Sequence, residues 1–136
     1  MQPAEPHGRV LIVDDDPLTR ESLGELLMAM GYAVASAADG LDALQYLKRS
    51  PRPDLMLVDL VMPRMNGWVF IMEQRADAEL AGIPAVVVSG KEDPVSAAVF
   101  LHAANYLLKP LDPECLVAIL RDHCAAGSGG RAEIPN

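Results

Sequence analysis

Acidic side chains follow two apolar segments of this 136-residue sequence, at the points where the segments end. The run Asp14–Asp16 comes directly after Arg9–Val13, and Asp59 follows Leu55–Val58. Carboxylates that are crowded into one crevice repel one another, and this repulsion costs stability unless a cation joins them. Oxygen ligands of this kind suit Mg²⁺. The sequence therefore predicts a magnesium site if the fold brings these two segments together.

Two further residues with suitable chemistry also follow apolar segments. Ser89 comes after Ala85–Val88, and Lys109 comes after Tyr106–Leu108. A lysine supplies a fixed positive charge, and a serine hydroxyl can donate a hydrogen bond to an oxyanion. With carboxylates and a divalent cation, these groups make a phosphoryl-transfer site, whose main task is to stabilise charge on the phosphoryl oxygens. Asp59 is the best candidate nucleophile, because it stands alone after its segment and a carboxylate can form an aspartyl phosphate.

Most of these residues also have a simple structural explanation. Asp16 precedes Pro17, a pair that typically begins a helix, so we assign Asp16 to the helix cap rather than to a ligand set. A serine followed by glycine after a strand is a common turn, and a single lysine usually lies on the surface. Asp14 and Asp15 are harder to explain structurally, because they are two extra acids beyond the cap. The functional hypothesis therefore rests on the combination of these residues at one place.

Five short apolar segments alternate with helical patterns along the chain and predict five strands: Arg9–Val13, Ala33–Ala37, Leu55–Val58, Ala85–Val88 and Tyr106–Leu108. Strands that are each followed by a helix indicate a doubly wound parallel α/β sheet, and continuous apolar strands fit a sheet covered on both faces. All carboxyl ends share one edge of such a sheet, so the candidate residues are expected to meet there. The second strand is followed by Ala38–Gly40, an ordinary turn and helix start, which favours an edge position for that strand.

Three predicted helices begin with the same pair, in which aspartate caps the helix and proline occupies its first turn: Asp16-Pro17, Asp93-Pro94 and Asp112-Pro113. The fourth helix is expected to run from about Val95 to Ala104, and the fifth from about Pro113 to Cys124. These helices connect the strands and cover the sheet.

Composition narrows the class of protein. The chain has 11 Lys+Arg and 19 Asp+Glu, a net charge of −8, which argues against nucleic-acid binding. No apolar segment approaches the ~18 residues of a membrane span, and 1–8 lacks the pattern of a signal peptide.

Cys115 and Cys124 lie nine residues apart on one predicted helix and cannot pair, which fits a reducing compartment. We expect a cytoplasmic single domain over 9–124, with flexible segments at 1–8 and 125–136, the latter a tail or linker.

Five sequence motifs, in this order and spacing, resemble the receiver domain family of bacterial two-component response regulators: Val10–Asp16 (VLIVDDD), Pro53–Asp59 (PDLMLVD), Met62–Gly67 (MPRMNG), Val86–Ser89 (VVVS) and Tyr106–Pro110 (YLLKP). The resemblance extends from about Arg9 to Cys124. It implies a flavodoxin-like fold of five strands in the order 2-1-3-4-5. It also implies a phosphorelay signalling domain rather than an enzyme, which receives a phosphoryl group from a histidine kinase or a histidine phosphotransfer protein and acts on a downstream protein target.

The same resemblance implies roles for the acidic residues. Asp59 is the phosphoacceptor. Asp15 and Asp59 coordinate Mg²⁺ directly, together with the main-chain carbonyl of Val61, and Asp14 acts mainly through a metal-bound water.

The remaining roles implied by the resemblance concern the phosphoryl group and the switch. Lys109 pairs with the carboxylate and then with the phosphoryl oxygens, and the Lys109-Pro110 peptide is cis. Ser89 forms a hydrogen bond to the phosphoryl group, and its movement leaves space into which the ring of Tyr106 turns. The surface formed by the fourth helix, the fifth strand and the fifth helix then transmits the change to a partner.

Two other classes of protein fit the residues less well. A phosphatase of the haloacid-dehalogenase type needs Thr or Val where this chain has Leu18, and a later acidic pair that is missing after Lys109. A flavodoxin-like electron carrier needs a phosphate-binding loop after the first strand, where three aspartates would repel phosphate. One alternative lies within the resemblance itself: a receiver that belongs to a hybrid sensor kinase or to a regulator with a separate output domain.

Overall fold

The computed structural model describes residues 7–90 and 93–124. Of the flexible segments expected at 1–8 and 125–136, residues 1–6 and 125–136 lie outside the described residues. His7 and Gly8, which the sequence assigned to the first of these segments, are bonded to the start of the second strand. The amide N–H of His7 donates to the carbonyl of Gly31 at 2.7 Å, and the carbonyl of Gly8 accepts from Ala33 at 2.8 Å.

Strands and helices alternate throughout the described part of the chain. The strands are β1 (Arg9–Val13), β2 (Ala33–Ala37), β3 (Leu55–Asp59), β4 (Ala85–Ser89) and β5 (Asn105–Leu108), and the helices are α1 (Pro17–Ala29), α2 (Gly40–Arg49), α3 (Gly67–Ala76), α4 (Pro94–Leu101) and α5 (Pro113–His123). All strand pairs are parallel, and the strand order is β2-β1-β3-β4-β5. The predicted doubly wound sheet is thus confirmed, with β2 at one edge.

Helices cover both faces of the sheet, which explains the continuous apolar strands. One face packs against α2, α3 and α4 in a core that includes Val58 and Phe70. The opposite face packs against α1 and α5 in a core that includes Leu57 and Leu116. β3 and β4 are buried at every position, whereas the edge strand β2 is partly exposed. Burial of both faces leaves the carboxyl edge of the sheet as the place where polar side chains can converge.

The predicted Asp-Pro helix starts are confirmed. The side chains of Asp16, Asp93 and Asp112 accept hydrogen bonds from backbone amides in the first turns of α1, α4 and α5, at 3.2, 3.0 and 2.9 Å. Each aspartate thereby satisfies an amide that has no partner within the helix. The predicted role of Asp16 as the N-cap of α1 is therefore confirmed.

The predicted end of α4 at Ala104 is wrong. The helix ends at Leu101, and His102 adopts a left-handed conformation with φ of 55°. The amide N–H of Ala104 instead donates to the carbonyl of Ala85 at 2.8 Å, next to the start of β5. This hydrogen bond places Ala104 alongside β4 just before β5 begins. Residues 102–104 therefore connect α4 to β5 and do not continue the helix.

Candidate functional site

The candidate residues meet at the carboxyl edge of the sheet. Asp14 directly follows β1, Asp59 is the last residue of β3, and Ser89 is the last residue of β4. Lys109 follows β5, and its amide N–H donates to the carbonyl of Ser89 at 3.0 Å. In the sheet register, Asp59 lies beside Val88 and Ser89 lies beside Leu108, so the four strand ends are nearly level.

Three carboxylates form what we call the acidic cluster: Asp14, Asp15 and Asp59. One oxygen from each of them lies within 4.8 Å of the other two. Asp14 and Asp59 are buried, with 4% and 8% of their surface exposed, whereas Asp15 is exposed. Three oxygen donors that are this close, with one side open to solvent, are the donor set that a hard divalent cation prefers.

Lys109 forms ion pairs with two carboxylates of the acidic cluster. Its Nζ lies 3.1 Å from Oδ2 of Asp14 and 3.5 Å from Oδ2 of Asp59. Burial of the ammonium group tends to lower the pKa of Lys109, but hydrogen bonding and attraction to Asp14 and Asp59 outweigh it and raise the pKa above its ordinary value. The Lys109-Pro110 peptide is cis, as the resemblance implies.

The surroundings of Asp59 disfavour its ionised form. Burial raises the pKa of Asp59 above its ordinary value, and the charge of Asp14 raises it further, although Lys109 opposes both. The amide N–H of Val61 donates to Asp59 Oδ1 at 3.4 Å, a long hydrogen bond that compensates only weakly. Among the described residues, the ion pairs to the acidic cluster come from Lys109, one cation against three carboxylates, which favours the entry of a further cation.

Backbone and side-chain hydrogen bonds fix the orientation of Asp14. Its Oδ1 accepts from the amide of Asp16 at 2.9 Å, and its own amide donates to the carbonyl of Ala37 at 3.1 Å. Nη1 of Arg20 in α1 donates to the carbonyl of Asp14 at 2.8 Å. We did not predict this contact of Arg20 from the sequence; the available signal was a cationic residue one turn into the helix that follows the acidic run.

The loop from Leu60 to Asn66 joins Asp59 to α3. Val61 is 50% exposed and lies two residues after Asp59, at the rim of the acidic cluster. Gly67, the first residue of α3, lies so close to the strand end that a Cβ atom there would be 2.2 Å from the carbonyl oxygen of Asp59. The helix can begin this close to the candidate nucleophile only because residue 67 has no side chain.

Ser89 and Tyr106, the two candidate switch residues, project from the same face of the sheet. Tyr106 lies beside Val87, two residues before Ser89, and side chains two apart on a strand share a face. Val87 belongs to the core on the side of α2, α3 and α4. Ser89 is 1% exposed and Tyr106 is 39% exposed, so the serine is buried while the tyrosine is partly open to solvent.

A cavity of about 190 Å³ adjoins the acidic cluster on the side of α1 and α5. Its polar wall contains Asp14, Asp59 and Lys109, and its apolar wall includes Leu23 and Leu111. The carboxylates and the lysine therefore line one recess at the carboxyl edge of the sheet.

Comparison with known proteins identifies the class. Residues 10–121 match the sequence model of the response regulator receiver domain. The chain is 41% identical over 115 residues to the DNA-binding response regulator MtrA of Mycolicibacterium smegmatis, covering 83% of this chain and 49% of MtrA. It is 37% identical over 113 residues to the chemotaxis protein CheY of Treponema pallidum, covering 79% and 78% of the two chains. It thus spans about half the length of the MtrA relatives and most of CheY.

Solved structures agree with the sequence comparison. A response regulator receiver protein from Pseudomonas putida superposes with a TM-score of 0.78 at 33% identity, over 88% of this chain and 98% of that one. The chain belongs to the response regulator receiver domain family and is a signalling domain of a two-component system. None of the helices that the structure describes has the length and apolar character needed to span a membrane.

Proposed function

We propose that Asp59 accepts a phosphoryl group in a Mg²⁺-dependent step, from a phosphohistidine of a histidine kinase or of a histidine phosphotransfer protein. The observation that carries the proposal is the position of Asp59 in the acidic cluster, with the ammonium group of Lys109 3.5 Å from its Oδ2. A buried carboxylate at the mouth of a crevice, beside a lysine and a cation site, has the surroundings of a phosphoryl acceptor.

The transfer itself needs only one bond to form and one to break. A carboxylate oxygen of Asp59 forms a bond to phosphorus as the phosphorus–nitrogen bond of the donor breaks, and the released imidazole nitrogen keeps the electron pair and takes up a proton from water. Lys109 lies close enough to stabilise negative charge on the phosphoryl oxygens, and Ser89 donates a hydrogen bond to one of them.

In this proposal Asp15, Asp59 and the main-chain carbonyl of Val61 would hold Mg²⁺, and Asp14 would contribute through a water molecule. The cation supplies positive charge to the phosphoryl oxygens. The donor set supports this assignment, because carboxylate and carbonyl oxygens are the ligands that Mg²⁺ takes in proteins.

Phosphorylation then changes the surface of the domain. Ser89 moves toward the phosphoryl group, Tyr106 turns from its exposed position into the space that is left, and the surface of α4, β5 and α5 binds a downstream protein target. This surface already presents exposed apolar side chains: Val99 is 72% exposed and Leu108 is 59% exposed. We infer a cytoplasmic signalling role without a separate enzymatic substrate and without nucleic-acid contacts through this domain.

A receiver can work alone or as part of a longer protein. The MtrA relative is about twice as long as the matched region, whereas the match spans 78% of the CheY relative. The proposed chemistry of Asp59 is the same in a single-domain regulator, in a regulator with an output domain and in a hybrid kinase.

Intact-mass spectrometry tests the proposal. The protein is incubated with acetyl phosphate, with and without Mg²⁺, and we expect one phosphoryl adduct that needs the cation and is absent in Asp59→Asn. Asp54→Asn is the matched control, because Asp54 is an exposed aspartate at the opposite end of β3 and its removal should leave the adduct intact. If the unaltered protein forms no adduct and does not bind beryllofluoride, a stable mimic of the phosphoryl group, the proposal is wrong.

A further inference from the structure

The loop between Asp59 and α3 contains a residue in an unusual conformation. Arg64 has φ of 60°, in the left-handed region that residues with a Cβ atom adopt only at a cost in free energy. Such conformations persist where the surrounding structure enforces them, and they cluster at functional sites. Two contacts with the start of α2 hold Arg64 in this conformation.

The first contact is an ion pair with Asp39, a buried carboxylate outside the acidic cluster. Nε and Nη2 of Arg64 both bind Oδ2 of Asp39. The side chain of Asp39 is 3% exposed and that of Arg64 is 61% exposed. A carboxylate buried to this extent needs a partner for its charge, so the arginine is held over it.

The second contact is between the backbones of the same two segments. The amide N–H of Gly40 donates to the carbonyl of Met65 at 2.9 Å, and a Cβ atom at residue 40 would lie 2.8 Å from that oxygen. The other oxygen of Asp39, Oδ1, accepts from the amide of Asp42 at 2.9 Å and caps α2. The start of α2 therefore holds the far side of the loop through a side chain and through the backbone.

The near side of the loop is attached to the candidate site. The amide of Leu60 donates to the carbonyl of Val88 at 3.2 Å, and the amide of Gly67 donates to the carbonyl of Leu60 at 3.1 Å. Between these two attachments lies Val61, whose amide binds Asp59. The position of the Val61 backbone thus depends on both ends of the loop, and the end nearer α2 depends on Arg64.

We propose that the Asp39–Arg64 ion pair is a positioning clamp, which holds the 60–66 loop in the geometry that the cation site at Asp59 and Val61 requires. The proposal rests on the proposed function, because it assigns a role in preparing that same site. Without the ion pair, the loop would relax from the left-handed conformation of Arg64. The binding of a cation would then have to order the loop again, at a cost in binding free energy.

The expected effect is a loss of cation affinity rather than of folding. Removal of groups that orient metal ligands typically lowers metal affinity about 10- to 100-fold. Arg64 lies three positions after Val61 and acts on it only through the loop backbone, so we expect the lower end of this range, about a 10-fold weaker affinity for Mg²⁺ in Arg64→Ala. Asp39→Asn, which retains an oxygen to cap α2, should have a similar effect, and the double variant should be no weaker than either single one.

Calorimetric titration of the protein with MgCl₂ measures this affinity, and the fluorescence of Trp68 gives a second readout. Trp68 is the sole tryptophan of the chain and is the second residue of α3, directly after the loop. Arg64→Lys keeps the charge and should recover most of the affinity. Arg52→Ala is the matched control: Arg52 also bridges two segments, with Nη1 donating to the carbonyl of Glu79 at 3.0 Å, but it lies before β3 at the opposite edge of the sheet.

A second variant separates positioning from stability. Arg64→Gly removes the ion pair but also relieves the left-handed backbone, which offsets part of the cost of the unpaired carboxylate, so its urea midpoint should lie above that of Arg64→Ala while its Mg²⁺ affinity falls by the same factor of about 10. Unchanged affinity in both Arg64→Ala and Arg64→Gly, in a protein that binds Mg²⁺ when unaltered, would overturn the clamp alone. Failure of the unaltered protein to bind Mg²⁺ would overturn the proposed function and the clamp together.

Discussion

Asp39 and Asp59 are both buried aspartates at the carboxyl edge of the sheet, but their surroundings differ in charge. Both oxygens of Asp39 are bonded, one to the amide of Asp42 and one to Arg64. Burial tends to raise the pKa of Asp39, but these bonds outweigh it and hold the pKa below its ordinary value. Asp59 faces two other carboxylates and shares the ammonium group of Lys109 with Asp14, and its pKa is raised by burial.

The difference shows how one sheet edge can hold a structural carboxylate and a functional one. Because Arg64 balances the charge of Asp39, this carboxylate can stabilise the fold without binding a further cation. Among the described residues, the ion pairs of Lys109 balance the three carboxylates of the acidic cluster only in part, so the fold tolerates their repulsion at a cost that a bound cation can relieve. Substitutions at the two places should therefore have opposite effects on stability.

The largest effect is expected on the rate of phosphorylation when Lys109, which contacts the acidic cluster, is replaced. Lys109→Met removes the ammonium group that contacts both Asp14 and Asp59 while keeping the length of the side chain. We expect the rate of phosphorylation by acetyl phosphate to fall about 100-fold or more, the size typical of losing one preorganised group that stabilises developing negative charge. The decay of unmodified protein in intact-mass spectra measures the rate. Lys48→Met, on the exposed surface of α2, is the control, and equal rates in the two variants would contradict the role of Lys109.

The next effect concerns the structural carboxylate. Asp39→Ala removes the cap of α2 and the ion pair together, and should lower the free energy of unfolding by about 2 kcal/mol, of which about 1 kcal/mol is the cap. Asp112→Ala removes an exposed cap from α5 without an ion pair, so its loss should be about 1 kcal/mol. Urea unfolding followed by circular dichroism measures both. If the two variants lose the same stability, the ion pair contributes nothing.

The functional carboxylate should respond in the opposite direction. Asp59→Asn removes one charge from three carboxylates whose oxygens lie within 4.8 Å, so in the presence of EDTA it should raise the free energy of unfolding by about 1 kcal/mol. Addition of Mg²⁺ should stabilise the unaltered protein and leave the variant nearly unchanged. A variant that is less stable than the unaltered protein in EDTA would contradict the charge imbalance that we infer.

The smallest effect is a dependence on pH. Because the pKa of Asp39 is lower in the folded protein than in the unfolded chain, its ionised form adds stability at neutral pH, and this stability is lost as the pH falls through the folded pKa. The stability difference between the unaltered protein and Asp39→Asn should therefore be constant near neutrality, begin to fall near the ordinary aspartate pKa of about 4, and disappear once the pH is below the lowered folded pKa. Urea midpoints at a series of pH values measure it; a difference that persists in acid would exclude the ion pair as its cause.

The sheet and most of the candidate site could be predicted from the sequence, because each depends on local patterns. Apolar segments mark the strands, and the carboxyl ends of parallel strands must meet, which brings Asp59 to Asp14 without any knowledge of side-chain packing. The contact of Arg64 with Asp39 could not be predicted in this way. It joins two turns that are 25 residues apart, and Asp39 was interpreted as an ordinary helix start.

The end of α4 was missed for a related reason. The segment from Leu101 to Ala104 contains no glycine or proline, so nothing local indicates that His102 adopts a left-handed conformation. The pairing of Ala104 with Ala85 sets that end, and this pairing exists only in the folded sheet. Tertiary contacts here override local helix propensity.

The close approach of Gly67 to Asp59 has a consequence for the range of sequences that this domain can adopt. A Cβ atom at residue 67 would overlap the backbone of Asp59, so even alanine is excluded there, whatever the rest of the sequence. Residue 64, at the other side of the same loop, is restricted only by its backbone angle, which glycine and asparagine also adopt readily. Among diverged or randomised copies of this domain, residue 67 should therefore be invariant, while residue 64 can vary and with it the affinity for the cation.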